Sequence, residues 1–392
     1  MLSIHELARI QKAIDDAGVD GWLLYDFRGI NPIAGSIVGI SGMVTRRYFC
    51  YIPRDGVPTA LTHAIEQGPW EQWPSSWSKI VYSSWRELEA ALAVVAGGKR
   101  VAMEYYPGDA VPYLDRIPAG VVEMVRAAGA EVVTSADLVT RIYAVWTPEQ
   151  LASHERAAEH VARIARKAMT LAGERARAGT PMHEFELATV IRTEFDQAGL
   201  FTDHGPNVSV GLNAANPHYE PSEEHSATIA AGDILLIDLW AREPDGVYAD
   251  QTWIGSLGTP SAENVRIWET VRGARDAAID LLGDRIESRA SVTGGEADDA
   301  ARNFITERGY GPRFIHRTGH SIDSRDLHGS GPNIDNLESR DVRTLLPGVG
   351  FSIEPGIYIP GQVGMRSEVN AFVKEGELLI TPQTPQHDLL IV

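Results

Sequence analysis

The sequence predicts a two-domain α/β protein, with an N-terminal domain of alternating helices and strands followed by a larger domain built around antiparallel hairpins. Two patterns lead to this prediction. Helical and strand-like segments alternate up to about residue 143, and two long hairpin patterns follow in the second half. A chain of 392 residues is also longer than a single small hydrophobic core supports, which favours two domains. We place the boundary at residue 145, which gives domains 1–145 and 146–392.

The first domain begins with a helix over residues 3–17, because Ser3 is a good N-cap and apolar residues then recur at helical spacing. GWLLYDF (21–27) reads as a buried strand. A hairpin follows, in which Arg54-Asp55-Gly56 joins RRYFCYIP to VPTALTH. WRELEAALAVVAG is helical, and KRVAMEY is a second buried strand.

The second domain opens with helices over 149–178 and 182–199, and a further helix runs from Ser261 to about Leu282. Two hairpins are its clearest strand features. The first joins ILLIDLWARE to GVYADQTWIG, and the second joins FSIEPGIYIP to GMRSEVNAFV.

Composition limits the possible partners. The formal charge of −18 argues against nucleic acids and anionic membranes, since both need a positive protein face. The one cysteine, Cys50, cannot form an internal disulfide, which fits a reducing compartment. The N-terminus lacks a signal-peptide pattern, and no apolar run is long enough to span a bilayer. We therefore expect a cytoplasmic protein that binds neither nucleic acid nor membrane.

The two hairpins carry paired carboxylates. Asp238 and Asp250 are symmetric about Pro244, and Glu354 and Glu368 are symmetric about Gly361. We expect each pair to lie directly opposite across its hairpin, with Cβ atoms roughly 4.5–5.5 Å apart. Two like charges at that distance are destabilising without a cation between them.

The alternative is that these carboxylates lie on the exposed faces of ordinary hairpins. The neighbouring residues argue against this alternative, since Asp238 directly follows the apolar run 234–237, and such a run is typical of a buried strand. With His320 added, four carboxylates and one imidazole suit two divalent ions of hard or borderline character. A pair of such ions activates water for hydrolysis.

Histidines add to this prediction. His316, His320 and His328 lie within thirteen residues, which favours a site over isolated structural histidines. His218 lies in the turn-rich segment NAANPHYEP, where an ordinary loop histidine is the alternative.

At these residues the chain resembles the pita-bread metallopeptidases, in the branch of creatinase, prolidase and aminopeptidase P. The matching motifs are LLIDLW, VYADQTW, HRTGHS, SIEPGIY and MRSEV. The resemblance covers roughly residues 147–392 and implies a curved, mainly antiparallel sheet flanked by helices. The first 145 residues resemble the creatinase-like N-terminal domain of the same branch.

The resemblance implies a role for each site residue. Asp250 and Glu368 would bridge two metal ions, Asp238 would bind one of them, and His320 and Glu354 would bind the other. Glu354 would also carry a proton. The remaining candidates are histidines and arginines of the substrate pocket: His218 and His328 near the scissile carbonyl, His316 in the pocket, Arg366 beside the ligand Glu368, and Arg340 for the substrate carboxylate. A surface salt-bridge role is the alternative for Arg340.

Two spacings differ from the usual family pattern. The aspartates Asp238 and Asp250 are one residue further apart than is usual. His320 and His328 are separated by eight residues where seven is usual, with Asp323 near a position usually held by glycine. These differences leave the ligands intact and concern the position of His328 and the shape of the pocket.

The resemblance implies hydrolysis of Xaa-Pro bonds with two divalent metal ions, manganese first and cobalt or zinc as alternatives. We favour a dipeptidase, or prolidase, because of the modest length and Arg340. The alternatives are an Xaa-Pro aminopeptidase, and an ectoine hydrolase or dimethylsulfoniopropionate lyase on the same fold. A metal-free binding module is a further alternative, but all five ligands are present.

The resemblance also implies a homodimer, in which a neighbour's loop reaches the active-site mouth. The aromatic stretch 70–77 is a candidate for such a contact, and local packing within the N-terminal domain is the alternative.

Overall fold

The computed structural model describes residues 2–40 and 44–392 and divides the chain into two compact units, Met1–Tyr143 and Ala144–Val392. Within those described residues, no helix is long and apolar enough to cross a membrane. The structure is a mixed α/β fold, as the sequence predicts.

The first unit is a mixed sheet with helices around it. Its strands are β1 (Gly21–Asp26), β2 (Tyr48–Pro53), β3 (Thr59–His63), β4 (Ser78–Tyr82), β5 (Arg100–Met103) and β6 (Glu131–Thr134), in the order β4-β3-β2-β1-β5-β6. Its helices are α1 (Ile4–Asp16), α2 (Pro32–Val38), α3 (Trp85–Ala96), α4 (Ala119–Ala127) and the short α5 (Ala136–Leu138). The predicted first helix with its Ser3 cap and the predicted β2–β3 hairpin are confirmed.

Three tryptophans of the first unit, Trp70, Trp73 and Trp77, pack against each other edge to face, with ring centroids 5.5 and 5.0 Å apart. All three are buried in the core of that unit. Local packing is therefore the role observed for this aromatic stretch, because apolar rings of this size contribute most when they are removed from water.

The second unit contains long helices and three separate sheets, whose strand pairs are antiparallel except for the parallel pair of Leu390–Ile391 with Ala249–Ser256. Its strands are β7 (Asn207–Val210), β8 (Ile234–Ala241), β9 (Ala249–Ser256), β10 (Ser321–Ile322), β11 (Gly350–Ile353), β12 (Gly356–Ile359), β13 (Val363–Arg366), β14 (Val369–Lys374), β15 (Glu377–Thr381) and β16 (Leu390–Ile391). They are ordered β16-β9-β8-β7, β10-β11-β14-β15 and β12-β13. Its helices are α6 (Pro148–Arg177), α7 (Glu184–Gln197), the short α8 (Gly211–Ala214), α9 (Ala262–Glu287) and α10 (Gly294–Glu307).

The helices of the second unit extend the prediction in two places. Helix α9 continues five residues beyond the expected end at Leu282 and buries Ile286. Helix α10 was not expected, although Thr293 and Glu296 form a capping box at its start.

The first hairpin differs from its predicted register. Asp238 pairs with Thr252, and Asp250 pairs with Trp240, so the two aspartates are not directly opposite. The ladder closes at Ala241 and Ala249, which leaves a seven-residue connection over 242–248 where a turn centred on Pro244 was expected. The offset is two residues, an even number, so both aspartates still lie on one face of the sheet.

The second hairpin has the predicted register. Ile353 pairs with Val369 in one ladder and Gly356 pairs with Arg366 in the next, so Glu354 and Glu368 lie opposite each other in the gap between them. The turn centre, Gly361, has a φ of 77°, which glycine adopts without steric cost.

Candidate metal centre

The five predicted ligands meet at one cavity of about 220 Å³ in the second unit. Asp238 and Asp250 come from the paired strands β8 and β9, and His320 immediately precedes β10. Glu354 and Glu368 come from the two points where one ladder ends and the next begins. Residues separated by as many as 130 positions are therefore brought together by the sheet.

The centre of the cluster consists of Asp250, His320 and Glu368, whose side chains each offer one ligand atom, with all three atoms within 4.8 Å of one another. The Nε2 atom of His320 lies 3.3 Å from Asp250 Oδ2 and 3.5 Å from Glu354 Oε1. Its Nδ1 atom is 3.1 Å from the carbonyl of Ser321. Because a carbonyl only accepts, Nδ1 carries the hydrogen and the Nε2 lone pair faces the carboxylates.

These residues fit divalent cations. Among the described residues, Asp250 Oδ1 and Glu368 Oε1 are buried without a hydrogen-bond partner. Buried polar atoms in folded proteins nearly always have a partner. Acceptor atoms that converge with no donor between them need a proton or a metal cation, and the carboxylate-rich donor set suits hard or borderline divalent ions.

Burial dominates the electrostatics of the cluster. It raises the pKa of Asp250 to about 8, with the negative charge of Glu354 adding to the effect. It raises the pKa of Asp238 to about 6, although Arg366 opposes it. The pKa of Glu368 is raised well above its ordinary value by burial and by Asp250. For Glu354 burial also acts upward, but the positive charges of His320 in its protonated form and of Arg366 outweigh it, and the pKa of Glu354 is lowered.

Arg366 is the cation built into this site. Its guanidinium forms an ion pair with Asp238, and its Nε–H donates to the Thr252 hydroxyl at 2.8 Å. Thr252 in turn donates to Glu368 Oε2 at 2.7 Å. The predicted contact between Arg366 and Glu368 therefore runs mainly through Thr252, since the direct separation from Arg366 Nε to Glu368 Oε2 is 3.8 Å.

The side-chain amide of Asn370 fixes the backbone of Asp250. Asn370 accepts from the Asp250 amide through Oδ1 and donates to the Asp250 carbonyl through Nδ2, both at 2.9 Å. This pair of hydrogen bonds ties β9 to β14, and so ties the Asp250 backbone to the strand that follows Glu368.

Three predicted histidines occupy different places. His218 and His328 line the cavity from loops, and each residue is exposed on one side while its ring borders the cavity. The ring of His328 stands perpendicular to that of His320, with centroids 4.3 Å apart. The neighbouring His320 and burial lower the pKa of His328 to about 4. His316 does not line the cavity, and its Nε2 atom instead lies 2.9 Å from the Tyr358 hydroxyl, which is 3.5 Å from Arg366.

The structure does not bring Arg340 to the cavity, where it was expected to contact the substrate. Arg340 is exposed, whereas Arg343 in the same segment is buried. Arg343 forms an ion pair with Asp341 at 2.7 Å and donates to the carbonyls of Ser330 and Gly331 at 2.7 and 2.6 Å. It thereby holds the backbone next to His328.

The longer step between His320 and His328 has a structural explanation. Asp323, near the position usually held by glycine, is buried and points into its own loop. It accepts from the amides of Arg325, Asp326 and Ser330 at 2.8, 3.0 and 3.0 Å. The extra residue is accommodated by this side-chain-closed loop.

Sequence reasoning missed several residues of the site. Thr252 and Asn370 each lie two positions after a predicted ligand, and alternate strand residues share a face, so this spacing could have indicated both. The cavity wall also includes Trp240 and Leu327, and its rim includes His204, whose ring centroid is 4.8 Å from that of Trp240. No pattern in the sequence indicated this wall.

Comparison with known proteins identifies the family. Residues 156–375 match the model of metallopeptidase family M24. The chain belongs to this family. The match covers more than half of the 392 residues and includes the five predicted ligands. It confirms the resemblance drawn from the sequence.

The M24 chain is similar to several named proteins. It is 40% identical to an Xaa-Pro dipeptidase of Lactobacillus helveticus over 161 residues, and the aligned segment covers 41% of this chain and 40% of that relative. It is 26% identical to the probable dipeptidase PepE of Mycobacterium tuberculosis over 390 residues, and the aligned segment covers 98% of this chain and 96% of that relative. The chain spans less than half the length of the Lactobacillus relatives that it matches.

A solved structure shows the same fold. The dipeptidase PepE from Mycobacterium ulcerans superposes with a TM-score of 0.75 at 23% identity and covers 99% of this chain and 97% of its own. The predicted fold class is confirmed for this member of the M24 family.

Proposed function

We propose that this chain is a dinuclear metallopeptidase that hydrolyses Xaa-Pro bonds, chiefly in dipeptides. The observation that carries this proposal is the convergence of Asp250, His320 and Glu368 on one cavity, with buried carboxylate oxygens that have no donor. Membership of a metallopeptidase family supports it. So does similarity to a relative named Xaa-Pro dipeptidase.

In this proposal Asp250 and Glu368 hold both metal ions, Asp238 holds one, and His320 and Glu354 hold the other. Bound divalent ions supply Lewis-acid activation of water and of the scissile carbonyl. The carboxylate-rich donor set favours manganese, with cobalt and zinc as alternatives.

Glu354 is proposed to move the proton. One of its oxygens accepts from the Ser352 hydroxyl at 3.0 Å, which fixes the carboxylate, and its lowered pKa keeps it ionised and able to accept. His328 stays neutral near pH 7 because its pKa is about 4, so it retains one N–H to donate to the developing oxyanion. His218 is proposed to donate there from the other loop.

The cavity favours a small substrate with an apolar ring. Trp240, Leu327 and Pro217 supply apolar surface beside the carboxylates, which suits a prolyl side chain. Its volume of about 220 Å³ lies below the roughly 300–1,000 Å³ of pockets for drug-sized ligands, which favours a dipeptide over a long peptide. Cytoplasmic location and a homodimeric state belong to the same proposal.

The test uses purified protein loaded with Mn²⁺ and three peptides: Ala-Pro, Ala-Pro-Ala and Ala-Ala. We expect release of free amino acids from Ala-Pro. Cleavage of Ala-Pro-Ala as well would make the chain an Xaa-Pro aminopeptidase. No cleavage of any peptide would remove the peptidase proposal and favour the small-molecule hydrolase or lyase alternatives.

Two variants control for a contaminating peptidase. Asp250→Ala removes a proposed ligand and should abolish cleavage, whereas Asp280→Ala removes an exposed carboxylate of α9 and should leave the rate unchanged. Equal rates in both variants would show that the activity does not come from this cavity.

A further inference from the structure

A second cavity, of about 350 Å³, lies in the first unit and has no part in the proposed peptidase site. It is located where three strands end: β1 at Asp26, β3 at His63 and β4 at Tyr82. These strands run in the same direction, because β3 is parallel to β4 and both β1 and β3 are antiparallel to β2. The carboxyl edge of such strands is where ligands bind in open α/β sheets.

The lining of this cavity combines cationic, aromatic and hydroxyl groups without a carboxylate. The lining residues are Phe27, Arg46, Arg47, His63, Tyr82, Ser83, Ser84 and Trp85. Phe27 and Trp85 are 37% and 54% exposed, and the Arg86 guanidinium lies over the Trp85 ring, 4.2 Å from its centroid. Exposed aromatic faces beside guanidinium groups suit a ligand that carries both a ring and an anion.

The two arginines are available to an anion. Within residues 2–40 and 44–392, neither Arg46 nor Arg47 forms an ion pair. Arg46 Nη1 contacts Thr45 through its carbonyl at 3.4 Å and its hydroxyl at 3.1 Å.

The nearby acids are engaged elsewhere. Glu66 accepts from the Thr45 amide at 2.9 Å and from the Arg46 amide at 2.8 Å. Glu87 accepts from the amides of Ser83 and Ser84 at 2.6 and 3.0 Å in the capping box of α3. Both carboxylates therefore direct their acceptor atoms to backbone N–H groups. Their negative charges reduce the positive potential of the two arginines, but neither carboxylate lines the cavity.

Helix α3 adds to the attraction for an anion. It is 12 residues long and begins at Trp85, directly after the two serines of the lining. Ser84 Oγ accepts from the Glu87 amide, and the Glu87 carboxylate faces the amides of Ser83 and Ser84. The first two amides of the helix and the remaining partial positive charge of its N-terminal end are therefore what it offers to an anion. A strand followed by a short turn and a helix N-terminus is a common setting for phosphate and carboxylate binding.

We propose that this cavity is a second binding site, which takes a small organic anion that carries an aromatic ring as well as a phosphate or carboxylate group. Arg46 and Arg47 bind the oxyanion, with His63 and the serine hydroxyls beside it. Phe27 and Trp85 contact the ring. The site is independent of the metal centre and of the proposed peptidase activity.

The experiment titrates the full-length chain by calorimetry with three probes at low ionic strength: adenosine 5′-monophosphate, N-benzoylglycine and uncharged adenosine. We expect at least one of the two anions to bind with a dissociation constant of about 1 mM or tighter, and adenosine to bind at least about tenfold more weakly. Binding of the nucleotide alone identifies a phosphate ligand, and binding of N-benzoylglycine alone identifies a carboxylate ligand.

Variants locate the binding. Arg47→Ala should weaken the anion at least about tenfold, since a charge-assisted hydrogen bond is lost. Arg46→Ala, at an exposed position that tolerates truncation, provides a second test of the same site. Arg54→Ala is the matched control, because Arg54 follows the opposite end of β2, roughly 20 Å from Arg47.

The proposal is overturned if neither anion binds at about 1 mM. It is also overturned if adenosine binds as tightly as the nucleotide, or if binding is unchanged in both Arg46→Ala and Arg47→Ala, as it would be for an anion held at the metal centre. Equal weakening in Arg54→Ala would show that only the general charge of the unit matters, which also contradicts a built site.

Discussion

Arg366 and Asp238 form a buried ion pair within the cluster of candidate ligands, with side chains 7% and 11% exposed. Arg366 is the only side chain among the described residues that forms ion pairs with three of the four carboxylates, Asp238, Glu354 and Glu368. It therefore determines how much uncompensated negative charge the site carries.

Arg366→Met should leave Asp238 buried without its cationic partner. Breaking a buried pair in this way costs about 3–5 kcal/mol of folding stability, and loss of an orienting residue beside a metal ligand lowers activity roughly 10–100-fold. Urea unfolding and Ala-Pro hydrolysis at saturating Mn²⁺ measure the two effects. Arg308→Met, which removes an exposed guanidinium at the end of α10, is the control and should change neither. A wild-type rate in Arg366→Met would contradict the proposed orienting role.

Asp250→Asn should have opposite effects with and without metal. Burial and Glu354 raise the pKa of Asp250 to about 8, so in metal-free protein this group opposes folding increasingly as pH rises from its unfolded value of about 4 toward 8. The neutral amide removes that penalty, and the chelator-treated variant should be more stable than chelator-treated wild type at pH 7.

Added Mn²⁺ should reverse this order. Wild type should gain about 2.7 kcal/mol of stability at one hundred times the dissociation constant, and Asp250→Asn should gain little. Thermal unfolding with chelator and with Mn²⁺ provides the comparison. A variant that gains as much from Mn²⁺ as wild type would show that Asp250 is not a ligand.

Removal of either cavity histidine should lower the reaction rate and leave metal binding largely unchanged. We expect His328→Ala to lower kcat for Ala-Pro about 10²–10³-fold, as for loss of an oxyanion donor, while stabilisation by Mn²⁺ is retained. His218→Ala should behave in the same way. His225→Ala, at an exposed loop position, is the control. If His328→Ala loses the Mn²⁺ stabilisation, His328 acts on the metal centre and not on the substrate.

Glu184 should position the loop that carries His218. This buried carboxylate accepts from the amides of Val210 and Ala227, both at 2.8 Å, and from the Tyr219 hydroxyl at 2.6 Å. Glu184→Gln places a donor where these donors converge, and we expect kcat/KM to fall about tenfold without loss of Mn²⁺ stabilisation.

A double-mutant cycle separates this positioning role from a general loss of stability. In a His218→Ala background, Glu184→Gln should have little further effect on kcat, since both changes act through one group. Additive losses would mean that Glu184 acts independently of His218. Glu186→Gln, at an exposed position of the same helix, should leave the rate unchanged.

His154 should make the second unit sensitive to acid. Its ring is buried between the Tyr248 carbonyl, 2.7 Å from Nδ1, and the Thr381 hydroxyl, 2.8 Å from Nε2, and burial lowers its pKa to about 4. The folded state therefore favours the neutral ring. This contribution to stability is fully present above the unfolded pKa of about 6.5 and is lost, by up to about 3 kcal/mol, as pH falls toward 4.

The measurement is urea unfolding between about pH 4 and pH 7.5, which spans the folded and unfolded pKa values of His154. The difference in unfolding free energy between wild type and His154→Gln should shrink as pH falls. A difference that does not depend on pH would show that His154 stabilises the fold only through packing.

The sequence predicted the strands of the site more reliably than the loops around it. Apolar runs next to Asp238 and Glu354 indicated buried strands because burial on a sheet leaves a periodic pattern. The register about Gly361 followed from a short turn. The register of the first hairpin could not be predicted in this way. Its connection is seven residues long, with Asp245 in a left-handed conformation, and it has no two- or three-residue turn signature.

The roles of side chains that act through tertiary contacts could not be predicted from the sequence. Arg340 and Arg343 are three residues apart in the same polar segment, and only the folded chain shows which is buried. Thr252 and Asn370 link the carboxylates across ladders whose strands are more than 100 residues apart. Local patterns contain no information about such partners.

The attachment of the candidate ligands to the sheet has a consequence for native-state hydrogen exchange. The amide of Asp250 is bonded to Asn370 and that of Glu354 to the Thr318 carbonyl at 2.6 Å, so both should exchange only when the sheet itself opens. The amides of His218 and His328 bond to side chains two residues away and should exchange through small loop fluctuations. On mild destabilisation the protein should therefore become a metal-loaded but inactive species before it unfolds.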